Sequence, residues 1–202
     1  MAIQVGGGTR LFAVLLVFAA SLSGTFGQGG LSEAERVWLA ERGTVTVGCE
    51  YNYPPYEFLR NGAPDGILIE LFRWIAAEYG FKLELLPIGP YEAQRRTLAG
   101  EIDLVSSMFI TTARTKTYGF TRSVYLVPAR LFAPPGRKDI GSLSDLNGKR
   151  VAVPKGDYAE EFLVNAGVTC DFVYSGDFEG AAKAVIGGEA DALVGDEQPV
   201  LY

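Results

Sequence analysis

The sequence predicts an α/β fold of two lobes, each a mostly parallel sheet flanked by helices, with a cleft between them. Three observations predict it. The phrase "AGEIDLV" at 99–105 returns as "GGEADALV" at 187–194. Around each copy the chain reads strand, helix, strand, helix, strand. Between the two runs lies a turn-rich segment holding consecutive prolines and several glycines. Short Val-, Ile- and Leu-rich strands separated by helices call for parallel sheets covered on both faces.

The elements follow in order. Arg10 precedes the apolar run "LFAVLLVFAA", and "SLSGTFGQ" follows it. A positive start, a short apolar stretch and a small-residue exit make residues 1–27 read as a secretory signal peptide, with Thr25 and Gly27 at the −3 and −1 positions. An uncleaved membrane anchor is the alternative, although the run is short for a span of about 20 residues. No cysteine follows the run, which argues against a lipid anchor. No other segment is apolar enough to cross a membrane, so the remainder is expected outside the cytoplasm. Residues 28–43, containing "LSEAERVWLAERG", predict a leader helix.

Lobe one is assigned to 44–127. It offers a strand at "TVTVGC" (44–49) and a helix at "ILIELFRWIAAEYG" (67–80). In that helix Ile67, Leu68, Leu71, Phe72, Ile75, Ala76 and Tyr79 recur at helical spacing, and Gly80 stops it. Next come a strand at "KLELLPI" (82–88), a helix at "YEAQRRTLAG" (91–100) and a strand at "IDLVSSM" (102–108). "SVYLVPARLF" (123–132) predicts one strand crossing between lobes, and "PPGRKDIGSLSDLNG" (134–148) a polar, turn-rich link. Residues 128–202 hold this crossing and lobe two, with strands at "KRVAVP" (149–154), "CDFVYS" (170–175) and "ADALVGD" (190–196). Its helices are "DYAEEFLVNAG" (157–167) and "FEGAAKAVIGG" (178–188). Asp103 and Asp191, the acids of the repeated phrase, are expected at turns and strand starts rather than in a site.

Composition narrows the function. A chain of 202 residues, 48% hydrophobic and 21% charged, can bury a real core. A net charge of −6 without a basic stripe argues against nucleic acid. The absence of histidine excludes Ser-His-Asp and Cys-His chemistry and His-ligated metals. "GGGTR" (6–10) lacks the strand and helix that a phosphate loop needs. Glu57, Asp65 and Glu70 do not single out a catalytic pair, so neither catalysis nor a cofactor is expected. Cys49 and Cys170 lie in different halves beside strands and read as two separate buried thiols.

Four ordered motifs carry a resemblance: "VTVGCEYNYPPYEF", "GEIDLVSSMFITTARTKTYGFT", "LNGKRVAVPKGDYAEEFL" and "GEADALVGDEQ". From about residue 43 onward the chain resembles the family 3 extracellular solute-binding proteins, the polar amino-acid binders of bacterial uptake systems. The resemblance implies two lobes that close on a ligand. It also implies a return strand and C-terminal helices beyond the Asp196 motif, which the sequence to Tyr202 does not contain. The leader at 31–43 looks like the helix that precedes such domains in membrane-bound sensor kinases.

Site residues follow from the resemblance, each weighed against its own chemistry. Arg114 matches a carboxylate clamp, for which a guanidinium fork is suited. Ser107 matches a ligand-facing position, and Thr111 is expected to cap the turn. Phe109 departs from the family's usual hydroxyl residue. Tyr53, Tyr56 and Tyr91 match aromatics over the ligand's side chain, with core packing fitting Tyr56 equally well. Glu50 matches an acid at the cleft edge. Gly156 and Asp157 lie at a helix N-terminus, a place suited to anions. The family has a hydroxyl at position 157; an aspartate there caps its own helix first and repels a ligand carboxylate. Asp196 matches the acid that accepts a ligand ammonium.

The resulting expectation is extracytoplasmic binding of a small polar solute, an amino acid or relative, for uptake through an inner-membrane permease. A sensing domain coupled to its own transmembrane and output parts is the alternative. A dehydratase-like enzyme on the same fold is the second.

Overall fold

The computed structural model describes residues 2–5 and 30–202. The signal peptide assigned to 1–27 therefore lies outside the described residues, apart from 2–5, which form strand β1 (Ala2–Val5). Helix α1 (Glu33–Arg42) begins where the leader helix is expected. Ser32 caps it, accepting from the Glu35 amide at 3.4 Å while the Glu35 carboxylate accepts from the Ser32 amide. This reciprocal pair satisfies two of the amides that a helix start leaves open.

Period-two alternation in the central strands divides each lobe's core between two faces. In lobe one, β2 (Thr44–Cys49) lies between parallel β6 (Lys82–Pro87) and β7 (Leu104–Met108). β1 continues the sheet antiparallel to β7, and β8 (Gly119–Phe120) closes the edge. Val45, Val47 and Leu104 face one way, joining Phe72 of α2 (Ile67–Tyr79) and Trp38 and Leu39 of α1. Val105 and Met108 face the other way, under Ala93 of α3 (Pro90–Leu98).

Lobe two repeats the plan. β10 (Arg150–Pro154) is flanked by parallel β11 (Asp171–Ser175) and β12 (Ala192–Asp196), and antiparallel β9 (Ala129–Phe132) pairs with β12. Val151, Val153, Ala192 and Val194 pack on Ala159 and Leu163 of α4 (Tyr158–Asn165). Ala152 and Leu193, one residue out of phase, pack on Ala181, Ala184 and Val185 of α5 (Phe178–Ile186). A short α6 (Glu197–Leu201) follows β12. Among the described residues no helix is long and apolar enough to cross a membrane.

Three expectations change. The crossing strand is only four residues long: 123–128 form no strand, because Pro128 supplies no amide to a ladder and pairing starts at Ala129. Between β2 and α2 the chain forms a small antiparallel sheet of β3 (Asn52–Tyr53), β4 (Glu57–Arg60) and β5 (Ala63–Asp65), which the repeat comparison passes over. α2 packs on both this sheet and β6, so Ile69 is buried while Ile67, counted in the apolar stripe, is 60% exposed. Cys49 is buried with its thiol pushed up to about 12 by desolvation first, but Cys170 is only half-buried; both are free.

The repeated phrase has one structural job, done twice. The Asp103 amide donates to the Thr46 carbonyl at 3.0 Å, and its carboxylate accepts from the Thr46 amide at 2.9 Å. The Asp191 amide donates to the Arg150 carbonyl at 2.7 Å, and its carboxylate accepts from the Arg150 amide at 3.0 Å. Each acid thus carries the parallel pairing of its lobe past the strand end. An arginine then neutralises it: Arg42 holds Asp103 with two bonds of 2.9 Å, and Arg150 and Arg137 hold Asp191. These contacts keep the Asp191 carboxyl well below its ordinary value. Asp103→Ala and Asp191→Ala should each lower stability by about 1–3 kcal/mol, since each leaves the backbone amide at the end of a ladder without its acceptor. Glu189→Ala, in the same phrase but exposed, should change it by less than about 0.5 kcal/mol. Urea midpoints of the three variants check this.

Candidate functional site

The strand ends of the two sheets face one another, and side chains from both lobes meet between them. The deepest meeting is Tyr53 of β3 with Asp196 at the end of β12. Tyr53 is 1% exposed and Asp196 2% exposed, and the phenol donates to the carboxylate at 2.5 Å. Burial chiefly, and the charge of Asp157 next, push the Asp196 carboxyl up to about 8, against the lowering effect of the Tyr53 hydrogen bond. The Tyr53 phenol is itself pushed upward by burial and by Asp196.

Aromatic rings surround this pair. Tyr53 lies 5.4 Å from Tyr56 and 5.8 Å from Phe178 of α5. Tyr56 stacks on Tyr125 of the crossing segment at 4.4 Å. Pairs at such separations add roughly 0.5–1.5 kcal/mol beyond the area they bury. The sequence comparison found Tyr53 and Tyr56 but not Phe178 or Tyr125, which only the folded chain brings in.

Glu57 of β4 is the largest omission. It is fully buried and accepts from the hydroxyls of Ser106 and Ser107 and, at 3.1 Å, from the Glu50 amide. Desolvation raises its carboxyl, and the serine and amide donors oppose that shift. Ser107, expected to face a ligand, therefore gives its hydroxyl to Glu57. Glu50 stays half-buried at the end of β2. Its carboxyl is held well above the usual range by burial first, then by Glu57, Asp157, Asp196 and Asp177. A carboxylate facing inward from a strand was the available signal for Glu57.

At the other end of the seam, Arg114 reaches from a 3-10 turn (Arg114–Lys116) in lobe one to lobe two. Its side chain is 12% exposed, lies 3.4 Å from Glu161 and donates to the Gly156 carbonyl at 3.3 Å. The Thr111 hydroxyl accepts from the Arg114 amide at 3.1 Å, so it caps that turn. Asp157 is the N-cap of α4, accepting from the Ala159 amide at 2.8 Å. Tyr91 is half exposed, with the Lys155 ammonium 4.4 Å from its ring centre. Gln94 donates to the Gly156 carbonyl at 2.9 Å, Asn52 donates to Asp177 and Glu179, and the Tyr51 hydroxyl donates to the Gly176 carbonyl. The fold thus gathers Glu50, Tyr53, Tyr56, Tyr91, Arg114, Gly156, Asp157 and Asp196 along one seam. Among the described residues no cluster of three or more acids or cysteines fits a metal ion.

Comparison with known proteins gives this seam a family. A model of the bacterial extracellular solute-binding proteins, family 3, matches residues 45–159, more than half of the chain. The chain belongs to that family. It is 29% identical over 157 residues to the L-cystine-binding protein TcyJ of Escherichia coli strain K12, covering 76% of this chain and 57% of that protein. It is 26% identical over 161 residues to the virulence sensor protein BvgS of Bordetella pertussis, covering 79% of this chain and 13% of the sensor. Among solved structures, an ancestral arginine-binding protein bound to glutamine superposes with a TM-score of 0.72 at 31% identity, covering 79% of this chain and 72% of that one. The chain spans little more than half the length of TcyJ.

The Asp196 environment sets a pH response. Folding favours the acid form of this carboxyl, so the stability it contributes is complete at low pH and is lost as pH rises toward 8. Asp196→Asn keeps an acceptor for Tyr53 and removes the charge. Relative to the parent, this variant should gain about 1 kcal/mol or more between pH 5 and pH 8.5 in urea unfolding. A difference that stays constant across that range would mean Asp196 is ionised throughout.

Proposed function

We propose that the chain is an extracytoplasmic binding protein that holds a small polar solute, an amino acid or a related compound, between its two lobes. One observation carries the reading: charged and aromatic groups from both lobes converge on one buried seam, Tyr53 with Asp196 at its centre and Arg114 with Glu161 at its end. Asp196 accepts the positive group of the solute, and Tyr53 and Tyr56 enclose what lies beside it. Glu57 positions the loop that carries these tyrosines. No bond is made or broken; closure of the lobes is the output, read by an inner-membrane permease of the ABC type. The segment 1–27 directs export. The arginine- and cystine-binding relatives support amino-acid-like chemistry. The match to BvgS, with α1 preceding β2, favours as a second reading that closure is read by a signalling domain.

Closure on a solute is measurable. The full chain with a mixture of natural amino acids and amines should show a reduced radius of gyration in X-ray scattering, and fractionation of the bound material identifies the ligand. Arg114→Ala should weaken binding at least about tenfold, a loss near 1.4 kcal/mol, because it removes the contacts to Gly156 and Glu161. Unchanged affinity in calorimetry would remove Arg114 from the closing machinery.

A further inference from the structure

This inference rests on the solute-binding reading and concerns what kind of solute the cleft admits. Besides the exposed Lys155 ammonium, which lies over the Tyr91 ring, two features could hold a carboxylate there: the guanidinium of Arg114 and the amide groups that open α4. Both are already engaged by the chain's own acids. The Arg114 guanidinium lies 3.4 Å from Glu161 and also donates to the Gly156 carbonyl. The start of α4 is capped by the Asp157 carboxylate at 2.8 Å from the Ala159 amide. Between these two features the lobes meet through rings, Phe109 stacking on Tyr158 at 4.9 Å, so position 109 offers no hydroxyl to an anion. A carboxylate entering this end must displace Glu161 and stand against Asp157.

The other end has the opposite character. Asp196 is buried at its centre with Tyr53, and Glu50 lies near enough to Asp196, Asp157 and Asp177 for their charges to act on it. Tyr53, Tyr56 and Phe178 supply ring faces beside these acids. Acids beside aromatic faces stabilise a cation by charge and by ring quadrupole together. Like charge at the Asp157 end acts against any partner that carries a carboxylate.

We infer that the cleft takes an organic cation without a free carboxylate, an alkyl amine or alkyl guanidine, and discriminates against the amino acid from which such a cation differs only by that carboxylate. Asp157 and Glu161 are the discriminating groups, and Asp196 with Glu50 is the cation-holding side. Arg114 then bridges the lobes instead of clamping a ligand.

Matched pairs test this directly: agmatine against arginine, cadaverine against lysine, putrescine against ornithine, each titrated calorimetrically into the full chain. At least one amine should bind about 100-fold tighter than its amino acid. Asp157→Ser retains a helix cap and removes the charge; it should raise affinity for the amino acid and narrow the ratio of amine to amino-acid affinity at least about tenfold. A thermal melt within a few degrees of the parent confirms that the variant is folded. Equal or tighter binding of the amino acid by the parent overturns the inference, as does a ratio that Asp157→Ser leaves unchanged. Binding of neutral or acidic amino acids alone also overturns it while the solute-binding reading stands. Failure of all six compounds and of every natural amino acid overturns both.

Discussion

A carboxylate that has no ion-pair partner among the described residues organises the side of lobe one that faces the seam. Glu57 has no exposure, and its three donors come from two different elements: Ser106 and Ser107 from β7, and the Glu50 amide from the end of β2. An acid removed from water is costly unless its acceptor sites are filled, so this one ties the β3–β5 sheet to the main sheet in a single geometry. Tyr53 pairs directly with Glu57 across the hairpin. The phenol that reaches Asp196 is therefore aimed by Glu57, and the seam between the lobes inherits its register from that contact.

Much of the fold was legible because its signals are local. Short apolar strands, helical spacing and glycine stops placed β2, α2, β6, α3 and β7, and their counterparts in lobe two, within a residue or two. The twice-written phrase read as architecture, and Asp103 and Asp191 explain why. A parallel ladder leaves the amide just ahead of its first pair without a partner on one side, and an aspartate at the start of the neighbouring strand can supply one from its side chain. The same geometry arises in both lobes, so the same residue answers it. That is a constraint of backbone chemistry, visible in sequence before any ligand is considered.

The candidate site was less legible, for a physical reason. Tyr53 and Asp196 are 143 positions apart, and nothing local to either reports the other. The likeness to a family supplied both residues; the bond between them belongs to the folded chain. Ser107 shows the limit of position-by-position transfer, since its hydroxyl is taken by a buried acid that the motif does not single out. Asp157 shows the opposite. A carboxylate just ahead of "YAEEFL" reads as a helix cap from the sequence alone, and it is one. The small sheet of β3, β4 and β5 escaped because the lobe-to-lobe comparison has no second copy of it.

Where the lobes come nearest, the chain places glycine. A β-carbon on Gly156, whose φ is +83°, would lie 3.0 Å from the Tyr91 backbone, and one on Gly176 would lie 2.9 Å from the Tyr51 hydroxyl. At Gly156 main chain of one lobe thus abuts main chain of the other, and at Gly176 it abuts the Tyr51 side chain. The two glycines act as spacers of the seam: their missing atoms let the lobes lie this near to one another. A single methyl group at position 156 is then a wedge one carbon thick. The spacing of the lobes at these points is written in the smallest residues of the seam rather than in its charged ones.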